Sequence, residues 1–128
     1  MIRKQKRTVM VVDDEQSLLG LLDADLVARG YKVVTAASGA AALDILHKLK
    51  PSIIVLDLKM PEMNGFDFLV EARKLPNSSS VPCVILTGVD DYAAVQVGKS
   101  LGVKDYLVKP VEPGRLASTI EKMLKQSK

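Results

Sequence analysis

The chain has 128 residues, 48% of them hydrophobic and 26% charged, a formal net charge of +3 and a single cysteine. That length makes one domain able to bury roughly two-thirds of its extended-chain surface without staples, and the lone Cys83 excludes an intramolecular disulfide and suits a reducing, cytoplasmic setting. No apolar run approaches a membrane span, and the basic start is no secretion signal, because its apolar stretch Val9–Val12 runs straight into Asp13-Asp14-Glu15.

In chain order, residues 1–7 read as a basic tail carrying Arg3, Lys4, Lys6 and Arg7, a solvated end rather than a nucleic-acid arm, since no groove-reading helix or aromatic stacking set accompanies it. Strand 1 is expected at Thr8–Val12. Helix 1 follows, with Leu18, Leu19, Leu22 and Leu26 on one face and Gly30 as its stop. Strand 2 covers Lys32–Ala36, and its mixed polarity suits a sheet edge. Ser38 is the expected cap of helix 2, which carries Leu43, Leu46 and Leu49 and ends at Pro51. Strand 3 is Ile53–Leu56. Helix 3 runs from near Gly65 to near Leu75, ahead of the Pro76–Ser80 loop. Strand 4 is Val81–Leu86 and contains Cys83, read as an inert buried thiol. Helix 4 is placed at about Asp91–Leu101, strand 5 at Lys104–Val108 and helix 5 at about Pro113–Gln126.

Strands alternating with helices define a doubly wound α/β domain, residues 8–126, with a five-stranded parallel sheet of order 2-1-3-4-5 flanked by five helices. Strands 1, 3 and 4 are near-continuous apolar runs, as strands covered on both faces are. Each ends in a polar residue: Asp13-Asp14, Asp57 and Thr87. Strand 5 runs into Lys109-Pro110. In such sheets ligands bind beyond the carboxyl ends of the strands, at the point where strand order reverses. Capping accounts well for Asp14, but not for two adjacent acids, a third on the next strand, and Thr and Lys on the two beyond.

Three carboxylates within about 5 Å repel by roughly 3 kcal/mol per pair at an effective dielectric of 20, so a proton, a lysine or a divalent cation must relieve them. An oxygen-only cluster suits Mg²⁺. With one His47 on a solvated helix face and no Cys cluster, zinc and iron do not fit. Asp57 is then a nucleophile towards phosphorus, with Thr87 and Lys109 binding phosphoryl oxygens. Gly98-Lys99-Ser100 resembles the end of a phosphate-binding loop, but Ala93 stands where its upstream glycine belongs and the segment falls late in a helix.

Asp13-Asp14, Asp57 through Gly65, Thr87-Gly88 and Asp105 through Pro110, in that order and spacing, resemble the receiver domain of response regulators in two-component signalling, a flavodoxin-like fold. The resemblance implies that Asp57 accepts phosphate from a phosphohistidine on a sensor histidine kinase or phosphotransfer protein. It implies Mg²⁺, with Mn²⁺ as a substitute, held directly by Asp14, Asp57 and the Lys59 backbone carbonyl, with Asp13 acting through water. Thr87 and Lys109 would grip the phosphoryl group, Thr87 movement would couple to Tyr106 turning inward, and Lys109-Pro110 would be a cis peptide. Lys59 and Val89 would flank the path of attacking water. Gly65 is expected to serve a turn where φ > 0 is allowed. Asn64, Val103 and Val111 depart from the commoner family residues.

The resulting expectation is a phosphorylation-operated switch rather than a turnover enzyme. It would be read out by the helix 4–strand 5–helix 5 face towards an output protein or domain, with no direct DNA binding and no membrane association; a phosphorylation-dependent dimer through that face is an open alternative on which the sequence is silent. No output domain follows helix 5 in this chain, which therefore either works alone or is a receiver cut from a longer protein. Two rivals stand beside it. A haloacid-dehalogenase-like phosphatase would need an Asp where Lys59 stands, and a phosphate-independent receiver-like adaptor would not need all five site residues.

Overall fold

A computed structural model describes residues 6–88 and 92–126, without the side chains of 92–95. Arg3, Lys4, Val89, Asp90 and Asp91, the expected start of the fourth helix, lie outside the described residues. The elements alternate from end to end: β1 (Thr8–Val12), α1 (Gln16–Ala28), β2 (Lys32–Ala36), α2 (Gly39–Leu46), β3 (Ile53–Asp57), α3 (Gly65–Ala72), β4 (Cys83–Thr87), α4 (Tyr92–Ser100), β5 (Val103–Val108) and α5 (Pro113–Gln126).

The five strands form one sheet of order β2-β1-β3-β4-β5, every pair parallel. Alternation along a strand sends neighbouring residues to opposite faces, and the core divides accordingly. Val9, Val11, Ile53, Val55, Val84 and Leu86 meet Leu19, Leu22 and Leu26 of α1 and Leu116 and Ile120 of α5. Met10, Val12, Ile54, Leu56 and Ile85 meet Leu46 of α2 and Phe68 and Leu69 of α3. Strands 1, 3 and 4 are apolar without interruption because both of their faces are covered. β2 is an edge, which explains its exposed Lys32 and Thr35, and Cys83 is fully buried.

Two helices stop earlier than their apolar period. α2 ends at Leu46 with an exposed His47 as C-cap, and Leu49 lies beyond it. α3 ends at Ala72, where the Arg73 guanidinium ties the chain down by donating to the carbonyls of Ser78 and Val81 (2.7 Å each) and Leu101 (2.8 Å). Strand ends move the other way: β3 and β4 include Asp57 and Thr87 as their last residues. The two polar groups are therefore held by the sheet ladder itself.

Candidate functional site

The carboxyl ends of β1, β3, β4 and β5 bring the expected groups to one edge. Asp13 directly follows β1, and its N–H donates to the Ala36 carbonyl of β2 at 3.0 Å, carrying the strand pairing one residue further. Its side chain is wholly buried. Oδ1 accepts the Glu15 N–H at 3.0 Å, and Oδ2 lies 2.8 Å from Lys109 Nζ. At that distance the ammonium pairs with it directly, in a charge-assisted contact that accounts for the oxygen's burial.

Asp57 is 4% exposed. Its Oδ1 accepts the Lys59 N–H at 3.3 Å and stands 3.6 Å from Lys109 Nζ. Asp14 is exposed, and one carboxylate oxygen from each of Asp13, Asp14 and Asp57 lies within 4.8 Å of the others. Capping does not explain this set. Glu15 is the N-cap residue of α1 and makes no side-chain cap bond, so Asp14 is no cap, and the carboxylate that accepts a backbone N–H there is Asp13.

Lys109 is positioned from β4, because its N–H donates to the Thr87 carbonyl at 2.7 Å, and the Lys109–Pro110 peptide is cis. Thr87 is 7% exposed at the end of β4. Tyr106 pairs in register with Ile85, two residues short of Thr87, and packs against the α2–α3 side of the core.

The loop between β3 and α3 closes the site from one side. Gly65 has no left-handed φ, contrary to expectation. The left-handed residue is Glu62, at φ 69°, and Gly65 is needed for close approach: a Cβ there would stand 2.5 Å from the Asp57 carbonyl oxygen and 2.8 Å from Leu58 Cα. Its N–H donates to the Leu58 carbonyl at 2.9 Å, folding the loop back on β3. Asn64 has a positive role: its side chain accepts the Asp67 N–H at 2.9 Å and caps α3.

Electrostatics follow from this crowding. Burial, and then the neighbouring Asp13 carboxylate, push the Asp57 carboxyl above its ordinary value, against the opposing pull of Lys109 and the Lys59 N–H. Partial burial would lower Lys109, but Asp13, with Asp57 and Glu15 behind it, outweighs this and raises it. One ammonium therefore balances two buried carboxylates and an exposed third, and the remainder is negative and lined by oxygen alone. Glu15, 4.0 Å from Lys109 Nζ, was not singled out from sequence as part of the site. Its signal was its place directly after the acidic pair.

The family model of the response regulator receiver domain matches residues 9–121. The chain is 38% identical over 122 residues to a probable transcriptional regulator ycf27 of Guillardia theta, covering 95% of this chain and 47% of that protein. It is 34% identical to the DNA-binding response regulator MtrA of Mycolicibacterium paratuberculosis, covering 95% and 53%. The chain thus spans about half the length of these curated relatives. Among solved structures, the chemotaxis protein CheY4 of Vibrio cholerae superposes with a TM-score of 0.88 at 33% identity, covering 92% of this chain and 98% of that one.

Proposed function

The chain belongs to the response regulator receiver domain family of two-component signalling, and on that premise we propose that Asp57 is its phosphoacceptor, fed by a phosphohistidine on a sensor kinase or phosphotransfer protein. The observation that carries the reading is a buried carboxylate at a strand end, 3.6 Å from a lysine ammonium and grouped with two further carboxylates. In the transfer an Asp57 carboxylate oxygen attacks phosphorus and a P–O bond forms. The donor's P–N bond breaks, and its imidazole leaves with the bonding pair and takes up a proton. Hydrolysis reverses the loading: water attacks phosphorus, the acyl P–O bond breaks, and orthophosphate departs from a regenerated carboxylate. This is self-modification and its reversal, not turnover of a separate substrate.

The donor set fits a hard divalent cation, being all oxygen and more negative than Lys109 can neutralise. Asp13, Asp14 and Asp57, with the Lys59 carbonyl, are the residues that would hold Mg²⁺ or its substitute Mn²⁺. When bound, the ion supplies positive charge that quenches carboxylate repulsion and draws phosphoryl oxygens inward. Lys109 and the Thr87 hydroxyl bind the transferred group's oxygens. Lys109 does so at the expense of its 2.8 Å contact with Asp13, and that exchange of partners makes the two states differ in contacts, as a population shift requires.

Output is read on the face formed by α4, β5 and α5, where Val97 and Val108 stand 46% and 56% exposed. Its partner is an output protein or domain, or a second phosphorylated copy, and this domain itself leaves DNA and membranes alone. Among the described residues no helix is long and apolar enough to cross a membrane, which agrees with a cytoplasmic site of action. Residues 8–126 act as the receiver unit, with residues 1–7 as a basic tail. The test is intact-protein mass after incubation with acetyl phosphate. A single phosphate adduct that requires both Mg²⁺ and Asp57 supports the reading. An adduct that persists in Asp57→Ala, or none in wild type with Mg²⁺, refutes it.

A further inference from the structure

Gly98 occupies the last turn of α4 and is buried, still within the helix, where glycine is disfavoured relative to alanine. The space a side chain would take is already filled. A Cβ at Gly98 would overlap the phenolic oxygen of Tyr106 and stand 3.0 Å from its Cζ and 3.2 Å from Val103 Cβ. Both neighbours are fixed from beneath. Val103 is a buried β-branched residue in register with Cys83, and Tyr106 is in register with Ile85. The Tyr106 N–H also donates to Asp105 Oδ1 at 2.8 Å, and the strand pairing fixes the backbone from which the ring projects.

We propose that Gly98 is a positioning residue: the missing side chain leaves a notch in α4 that seats the Tyr106 ring, so the size of residue 98 sets where the ring rests and ties its movement to α4. The proposal rests on reading Tyr106 as part of the phosphorylation switch. It also gives Gly98-Lys99-Ser100 a reason to begin with glycine that has nothing to do with a phosphate loop. Because Gly98 precedes Ser100 by two residues and follows exposed Val97 directly, any departure of the ring from the notch is felt on the surface offered to partners.

The experiment labels the whole protein with 3-fluorotyrosine, assigns Tyr106 among Tyr31, Tyr92 and Tyr106 by single Tyr→Phe changes, and compares wild type with Gly98→Ala. In wild type the Tyr106 resonance should show a small H₂O/D₂O shift. Gly98→Ala should enlarge that shift and lower the phenol's titration midpoint, because the expelled ring loses the burial that raises it. Urea midpoints supply the second readout. Gly98→Ala should lower the midpoint by clearly more when Tyr106 is present than in a Tyr106→Ala background, where the 3.2 Å approach to Val103 Cβ alone opposes the gain in helix propensity. An unmoved Tyr106 resonance, or an equal change of midpoint in both backgrounds, overturns the proposal. All readouts use unphosphorylated protein. Failure of Asp57 to take up phosphate, seen separately by mass, would remove the switch reading while these data still decide the seating.

Discussion

Replacing Asp57 by Asn removes one charge and keeps the shape, so it isolates the cost of crowding carboxylates at the sheet edge. At an effective dielectric of 20, Lys109 at 3.6 Å attracts the Asp57 carboxylate by about 4–5 kcal/mol. Each of Asp13 and Asp14, with oxygens within 4.8 Å, repels it by at least about 3 kcal/mol, less for exposed Asp14 because solvent screens it. Burial adds to the cost. The net expectation is a metal-free Asp57→Asn protein more stable by about 1–3 kcal/mol, which at a urea m value of about 2 kcal/mol/M raises the midpoint by about 0.5–1.5 M. The pH dependence has a definite sign. The Asp57 carboxyl is raised above its ordinary value of 3.8, so the folded state holds its proton more tightly than the unfolded state does. That stabilisation is complete below the unfolded value and is lost as pH rises through the folded one. The advantage of Asp57→Asn should therefore be largest near neutrality and shrink as pH falls towards 3.8. The assay is urea unfolding by circular dichroism in chelator-treated buffer from pH 7 downward. A mutant midpoint equal to or below wild type at neutral pH would refute the reasoning, and so would a gap that does not change with pH.

Three further outcomes follow from the geometry. Lys109→Ala strands the fully buried Asp13, whose Oδ2 has the ammonium at 2.8 Å, and should cost about 3 kcal/mol without metal; Mg²⁺ should recover more stability than it adds to wild type, and equal gains on Mg²⁺ titration would contradict this. Gly65→Ala meets main-chain atoms at 2.5 and 2.8 Å that cannot step aside, so it should cost about 1–3 kcal/mol and slow phosphoryl uptake by displacing the loop behind Asp57, measured by unfolding and by mass. Cys83 is fully buried, with burial pushing its thiol up to about 12, so it should resist a thiol reagent at pH 7 in the native protein and react on unfolding; prompt native-state reaction would show that β4 opens.

The sheet was legible because burial on both faces leaves a plain trace: uninterrupted apolar runs at β1, β3 and β4 and a mixed one at the β2 edge. The site was legible because topology alone delivers strand ends to one edge, so Asp13, Asp57, Thr87 and Lys109 needed no side-chain detail to be brought together. What stayed hidden depends on contacts distant in the chain or on local dihedrals. Nothing near Gly98 announces that Tyr106, on the next strand, needs its space. Gly65 reads as a turn glycine until the Asp57 carbonyl is seen beneath it, and the left-handed residue proves to be Glu62. The cap that Asp14 would suit is not made: Glu15 stands at the N-cap of α1 without a side-chain cap bond, and Asp13 Oδ1 accepts only the Glu15 N–H ahead of the helix. Leu49 and Leu75 keep the apolar period of helices that have already ended, since periodicity records a buried face and not the point where Arg73 or a C-cap turns the chain.

The central claim is an acyl phosphate on Asp57. The most direct measurement is to load the protein with acetyl phosphate and Mg²⁺, reduce it with borohydride, and sequence the peptides by mass spectrometry. Borohydride converts an aspartyl phosphate to homoserine and leaves free aspartate unchanged. Homoserine at position 57, and unmodified Asp13 and Asp14, is the predicted result. Homoserine elsewhere, or phosphate found as a stable ester on Thr87 or another hydroxyl, would contradict the account.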